Sequence, residues 1–236
     1  MPILAACGHV AECAPFPTPA AVTNKDWAHC DTLLRDGLAD LGLRLTAAQR
    51  ESLLQYLREM QRWNSTHNLT AVREPSEMVV KHLLDSLSLL PQLQGESLLD
   101  IGSGAGLPGI PLAIASAKLE VTLLESNGKK CAFLRHAVRA LSLANARVAQ
   151  TRLEDFEPAS GFDMVVARAF APLPEFVAQA ARLVNSTGRL LAMLGRAPAA
   201  RELKLPPGFT LQGVLPLQVP GLHAERHLAV IARGLL

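Results

Sequence analysis

Four glycines, Gly102, Gly104, Gly106 and Gly109, fall within eight positions directly after a short apolar run, and an acid, Asp100, stands two residues ahead of the first. Such a cluster lets the chain turn sharply and lets a ligand lie against bare backbone. Two ligand chemistries compete for it. Gly104, Gly106 and Gly109 satisfy G-x-G-x-x-G, the pattern that seats a dinucleotide pyrophosphate. Gly102, Gly104 and Gly106 satisfy G-x-G-x-G after an acid. Asp100 decides between them. A carboxylate aimed at the loop repels a pyrophosphate, whereas S-adenosylmethionine brings a cationic amine and a sulfonium that it attracts. A ligand-free tight turn is the plain alternative, and four glycines after a strand disfavour it.

Further acids and a base lie downstream at useful spacings. Glu125 closes a second apolar run 25 residues beyond Asp100, near the spacing of roughly 20 at which an acid takes ribose hydroxyls. Taken alone it reads equally well as a solvated strand-end glutamate. Arg152-Leu153-Glu154-Asp155 follows a third run, where this architecture passes the adenine. Either Glu154 or Asp155 is placed for the exocyclic amine, the other being a turn cap. Arg168 ends a fourth run, where the reacting groups of such folds gather. It suits a cofactor carboxylate, an RNA phosphate or plain solvent.

The elements that must position these residues follow from periodicity. Apolar residues at helical spacing predict helices over 31–45, from 47 to a polar break at 64–68, and from Pro75 to Pro91, with Thr46 and Gln49 forming a capping box ahead of the second. Beyond Gly95 the pattern changes to short apolar runs. Strands are predicted at 97–101, 119–124, 146–150, 163–167, 189–194, 209–217 and 227–232, with helices at 108–116, 129–141 and 172–184. The expected fold is therefore α/β: a Rossmann-like, mostly parallel seven-stranded sheet with helices on both faces and an N-terminal helical extension. The last two strands have no helix between them and should pair as an antiparallel edge. The expected division is a flexible Ala- and Pro-rich leader over 1–28, a helical segment over 29–94 and the ligand-binding core over 95–236.

Composition excludes several classes. At 49% hydrophobic and 19% charged residues in 236 the chain supports a large core and is not a disordered protein. A net charge of +2 permits a nucleic-acid partner only through a local basic patch. Cys7, Cys13, Cys30 and Cys131 form no C-x-x-C pair, and with His9 and His29 they are too irregularly spaced for zinc. No metal is expected, and reduced thiols with no membrane-spanning run point to a cytoplasmic protein.

Six ordered segments resemble the ribosomal RNA small-subunit methyltransferase G family, also called glucose-inhibited division protein B. They are Trp63-Asn64 with His67-Asn68-Leu69-Thr70, Lys81-His82-Leu83-Leu84-Asp85-Ser86, the stretch from Asp100 to Pro111, Leu124-Glu125-Ser126, Arg168-Ala169-Phe170-Ala171 and Glu225-Arg226-His227-Leu228. The likeness runs from about Thr46 to the C-terminus. It implies methyl transfer from S-adenosylmethionine to N7 of a guanine in 16S rRNA, with S-adenosylhomocysteine as product. It also implies cofactor contacts at Gly102, Leu107, Leu153, Glu154 and Arg168. Glu125 stands where many relatives have Asp, and the leader has no counterpart in the family pattern.

The chemistry needs little from the protein. Guanine N7 carries a free lone pair, so no general base is expected, and the task is to hold a near-attack geometry. Asn68, Arg73, Lys81, His82, Arg135, Arg139 and Arg226 are the candidate contacts to RNA, with Lys129 and Lys130 on the same helix as Arg135 and Arg139. Each has a bland counterpart as a solvated, capping or buried structural residue. The expected partner is 16S rRNA or the small subunit, met by a monomer. A methyltransferase with another substrate and a non-catalytic nucleotide-binding protein are the alternatives, and a nicotinamide dehydrogenase is disfavoured by Asp100.

Overall fold

The structure, a computed structural model, describes residues 24–168, 171–199 and 204–234. Its elements are α1 (Asn24–Asp40), α2 (Ala47–His67), α3 (Pro75–Met78), a π-helical turn (Val79–Leu84), α4 (Asp85–Leu87), β1 (Ser97–Ile101), α5 (Gly109–Ala115), β2 (Glu120–Glu125), α6 (Gly128–Ala140), β3 (Ala146–Gln150), β4 (Phe162–Arg168), α7 (Leu173–Ala180), β5 (Val184–Leu194), β6 (Phe209–Pro216) and β7 (His227–Arg233). The seven strands form one sheet in the order β3-β2-β1-β4-β5-β7-β6. The first five are parallel, and β7 runs antiparallel to both β5 and β6. The expected α/β fold is the observed one.

Period-two alternation along each strand divides the core between two faces. Leu98, Val121, Leu123, Met164, Val166, Leu191, Leu228 and Val230 point into one cluster, which also takes Leu34, Leu53, Leu57, Leu83, Ile110 and Phe133 from the helices. Leu99, Ile101, Leu124, Val165, Ala167, Leu190, Ala229 and Ile231 point to the other, where Leu173, Phe176 and Val177 of α7 cover them. The N-terminal helices thus share one hydrophobic cluster with the sheet and its crossover helices.

The N-terminal helices depart from expectation in three places, each for a local reason. α1 begins at Asn24, so 24–28 is helical where a leader was expected, and residues 1–23 lie outside the described residues. α1 stops at Asp40 rather than at 45, because Gly42 takes φ +69° and Leu43 N–H closes back on the Leu38 carbonyl at 2.8 Å, the bond pattern of a glycine-terminated helix. Gly37, which should weaken α1, is where the helix meets Leu84: a Cβ there would lie 2.4 Å from Leu84 Cδ1. Finally, 64–67 is not a break. α2 runs through it to His67 and ends on Asn68 in the left-handed conformation, φ +47°. The capping box of Thr46 and Gln49 forms as expected.

Candidate functional site

The parallel pairing brings the carboxyl ends of β1, β2 and β4 level with one another, with Ile101 opposite Leu124 on one side and Ala167 on the other. The glycine loop leaves from this edge. Gly102, Gly104 and Gly106 all take positive φ, at +65°, +58° and +94°, so a side chain at any of them would be strained. The loop is tied down by its own backbone: Ser103 N–H reaches the Leu124 carbonyl at 3.1 Å, and Gly106 and Leu107 N–H both reach Ser103 O.

Two carboxylates serve this loop. Asp100 is fully buried, and its Oδ2 accepts from Gly109 N–H at 3.1 Å while Oδ1 is buried with no partner. Burial pushes its carboxyl up to about 7, opposed by the Gly109 N–H and the positive charge of Arg168. Glu125 Oε2 accepts from Gly104 N–H at 3.0 Å and Oε1 from Asn127 N–H at 2.8 Å. A carboxylate offers about four lone-pair directions, so both oxygens of Glu125 keep capacity for further donors. Sequence reasoning passed over Tyr56, fully buried in α2, whose hydroxyl donates to the Ala105 carbonyl at 2.6 Å. Its spacing from the loop, 49 positions, hid the link.

A second cluster sits beyond β4. Asp85, 1% exposed, holds two guanidiniums: Arg168 Nη1 at 3.3 Å on Oδ2 and Arg226 Nε at 2.9 Å on Oδ1. Arg168 also donates to the Lys81 carbonyl at 3.3 Å. One carboxylate against two guanidiniums leaves a net positive charge. These three residues, with Met193, Leu194 and Gly195, line a cavity of about 420 Å³ at the ends of β4 and β5. Asp85 lay within a motif read from the sequence, but nothing there showed its role, because its partners stand 83 and 141 positions away.

The other expected residues are placed as follows. Leu107 is buried at 4% exposure and Leu153 at 8%, while Glu154 and Asp155 are both exposed on the loop after β3. His82 corrects an expectation. It is 4% exposed, its Nε2 lies 2.9 Å from Thr70 Oγ1, and burial together with the Arg168 charge pushes its imidazole down to about 4. It is an internal neutral strut and presents no surface to RNA. Asn68 and Arg73 form one loop, with Arg73 Nη2 on Asn68 Oδ1 at 3.4 Å and Nη1 on the Asn64 carbonyl at 3.3 Å. Asn64 itself clamps Thr70 through two backbone bonds of 2.9 Å. Lys81 pairs with Glu77, Arg135 donates to Gln150 at 2.8 Å, and Arg139 is exposed in the last turn of α6. Cys30 and Cys131 are buried free thiols, and Cys131 Sγ donates to the Glu125 carbonyl. Among the described residues no group of acids, histidines and cysteines is arranged to hold a metal, and no helix is long and apolar enough to cross a membrane. Cys7, His9, Cys13, Ala169 and Phe170 lie outside the described residues.

Residues 49–229 match the family described as rRNA small subunit methyltransferase G. A protein named Ribosomal RNA small subunit methyltransferase G from Alkalilimnicola ehrlichii is 51% identical over 195 residues, covering 83% of this chain and 89% of the relative. The protein of the same name from Stenotrophomonas maltophilia is 48% identical over 217 residues, covering 92% and 97%. Among solved structures, the glycopeptide N-methyltransferase MtfA complexed with S-adenosyl-L-methionine superposes with a TM-score of 0.53 at 14% identity, covering 65% of this chain and 95% of that one. At that identity the likeness is one of fold.

Proposed function

The chain belongs to the rRNA small subunit methyltransferase G family, and we propose that it transfers the methyl group of S-adenosylmethionine to N7 of a guanine in 16S rRNA of the small ribosomal subunit. The observation that carries the reading is Asp100. A buried carboxylate oxygen with no partner, beneath three glycines at positive φ, is costly unless a cation or donor comes to it. The cofactor's amine fits that need and a pyrophosphate does not.

The residues that would hold the cofactor are the ones already named. Asp100 and the backbone of Gly102, Gly104, Gly106 and Leu107 face its amino acid end. Glu125 has free lone pairs for the ribose hydroxyls. Leu153 and Glu154 flank the adenine, and Arg168 takes the carboxylate. When bound, S-adenosylmethionine supplies an electrophilic methyl on a sulfonium, and a guanine N7 lone pair meets it without losing a proton. No side chain need act as general base, so the protein contributes position and a dry, preorganised field. Asp85 keeps two guanidiniums apart from each other and fixed at the mouth of the cavity. Arg226, with Asn68, Arg73, Lys81, Arg135 and Arg139, is the candidate set for meeting phosphates, which position RNA without reading its sequence. A net charge of +2 is little for gripping naked RNA, and this supports an assembled or protein-bound subunit as substrate. We take the enzyme to act as a monomer in the cytoplasm.

The test is methyl transfer from labelled S-adenosylmethionine to small subunits that lack the modification, followed by identification of the labelled base. Label recovered as 7-methylguanine at one 16S position is the expected result. Cofactor binding without label in rRNA would move the substrate elsewhere.

A further inference from the structure

Between β3 and β4 the chain crosses without a helix, and the loop makes few bonds of its own. Asp155 N–H reaches Arg152 O at 3.2 Å and Phe156 N–H reaches Leu153 O at 3.3 Å. A segment so lightly bonded opens easily unless contacts from outside hold it. One such contact is Arg182, from the turn between α7 and β5. Its Nη2 donates to the Leu153 carbonyl at 2.6 Å and to the Glu154 carbonyl at 3.1 Å, and its Nη1 donates to the Phe156 carbonyl at 2.7 Å. Among the described residues no carboxylate lies within ion-pair distance of this guanidinium. Its donors go to backbone oxygens, in the planar fork that only arginine presents.

The anchor is itself anchored. Arg233 of β7 donates to the Ala181 carbonyl at 2.7 Å, and Phe162 N–H, at the start of β4, reaches the Leu183 carbonyl at 2.8 Å. The residues on either side of Arg182 are therefore fixed by the sheet, and Phe156 stacks on Phe162 with ring centroids 6.3 Å apart. The loop is thus joined to the sheet by Arg182 on three backbone carbonyls, by the Phe156–Phe162 stack and by the buried Leu153 side chain.

We propose that Arg182 is the positioning residue for the adenine end of the cofactor site. It fixes the backbone of Leu153 to Phe156 so that the loop presents a set arrangement of donors and acceptors to the purine edge. Arg182 touches no cofactor atom and acts only through the loop. The proposal rests on the cofactor reading given above, in which Leu153 and Glu154 flank the adenine. A site that reads a polar group by hydrogen bonds rejects an analogue in which that group is changed, provided its own groups are held still. Loosening the loop should therefore cost discrimination before it costs anything else.

The experiment measures the dissociation constants of S-adenosylhomocysteine and of S-inosylhomocysteine, whose purine carries oxygen in place of the exocyclic amine. Both are measured for the wild type, Arg182→Met and Arg182→Lys. The melting temperature and the affinity for small subunits are recorded for each protein. The wild type should prefer the adenine compound by at least about tenfold. In Arg182→Met that ratio should fall toward one while subunit affinity is unchanged. Arg182→Lys, a single point charge with a different donor geometry, should fall between and also serves if the Met variant does not fold. A wild type with no preference would overturn the placement of adenine on this loop, and with it the proposal. A wild-type preference kept at full size in a folded Arg182 variant would overturn the proposal alone. A drop in both affinities that follows the melting temperature, with the ratio intact, would do the same and leave Arg182 a fold residue.

Discussion

The β1–β2 edge and the β4–β5 edge of the same sheet are built by different means. At the first, the glycine loop is held by the backbone around it. Asp100 binds Gly109 N–H, Glu125 binds Gly104 and Asn127 N–H, and Ser103 binds Leu124 O. In each of these bonded pairs the partners are separated by no more than 21 positions in the chain, and the one long reach is that of Tyr56 from α2. At the second, Arg168 and Arg226 are oriented by Asp85, which comes from the helical N-terminal segment. Their geometry depends on three distant pieces of chain arriving together. A cofactor common to many enzymes suits a local, self-contained cradle. A macromolecular substrate suits a surface assembled with the helical N-terminal segment, with Arg168 standing between that surface and the cofactor carboxylate.

That contrast can be broken at either edge. The largest effect is expected from Gly106→Val. A Cβ at position 106 would lie 2.5 Å from Ile110 Cδ1 and 3.0 Å from Leu134 Cδ2, in a backbone at φ +94°. Strain and overpacking there should destabilise the protein by about 2–4 kcal/mol and abolish binding of S-adenosylhomocysteine, as read by denaturant unfolding and calorimetry. Binding of wild-type strength would separate the loop from the cofactor altogether.

The next effect belongs to the second edge and to pH. The folded-state value for His82, about 4, lies below the ordinary 6.5, so between those values the unfolded chain binds the proton and the folded protein does not. The stabilising contribution of neutral His82 is complete above about pH 6.5 and is lost as pH falls toward 4. At most it amounts to about 3 kcal/mol. Asp100, raised from 3.8 to about 7, acts in the opposite sense over nearly the same window, so the two must be separated. Urea unfolding between pH 7 and 4.5 should show a steeper loss in the wild type than in His82→Gln. Equal slopes would mean that His82 is not titrating from a buried neutral state.

A smaller effect tests the one long-range strut of the first edge. Tyr56→Phe removes the donor to the Ala105 carbonyl and nothing else. It should cost about 1 kcal/mol of stability and weaken S-adenosylhomocysteine binding a few-fold, with subunit affinity untouched. A loss of subunit affinity instead would show that α2 serves the RNA side.

The two edges also differ in how far the sequence disclosed them. The strand ends, the glycine loop, Asp100 and Glu125 were all readable, because each sits at a short fixed spacing that backbone geometry enforces. The seven strands were found for the same reason, although β5 begins at Val184, where the expected helix over 172–184 still ran, rather than at 189. The termination of α1 at Gly42 was missed because the pattern of leucines continues past it, through Leu43 and Leu45. The helical state of 64–67 was missed because Asn64 looks like a loop residue until its carboxamide is seen clamping Thr70 from a buried position. His82 was read as a candidate RNA contact beside Lys81, whereas within the π-helical turn it is buried. Asp85 and Arg182 act across long sequence separations, which no local pattern records.

The most direct test of the two-edge account is to measure cofactor affinity and methyl transfer on one protein, Asp85→Asn, below its melting temperature. Removing the shared carboxylate charge frees Arg226 and loosens Arg168, which keeps its bond to the Lys81 carbonyl. The expected result is an S-adenosylhomocysteine dissociation constant raised no more than about fivefold, which is the share of the loosened Arg168, with methylation of small subunits reduced by on the order of a hundredfold or more. An unchanged methylation rate, or a parallel collapse of cofactor affinity and rate, would contradict it.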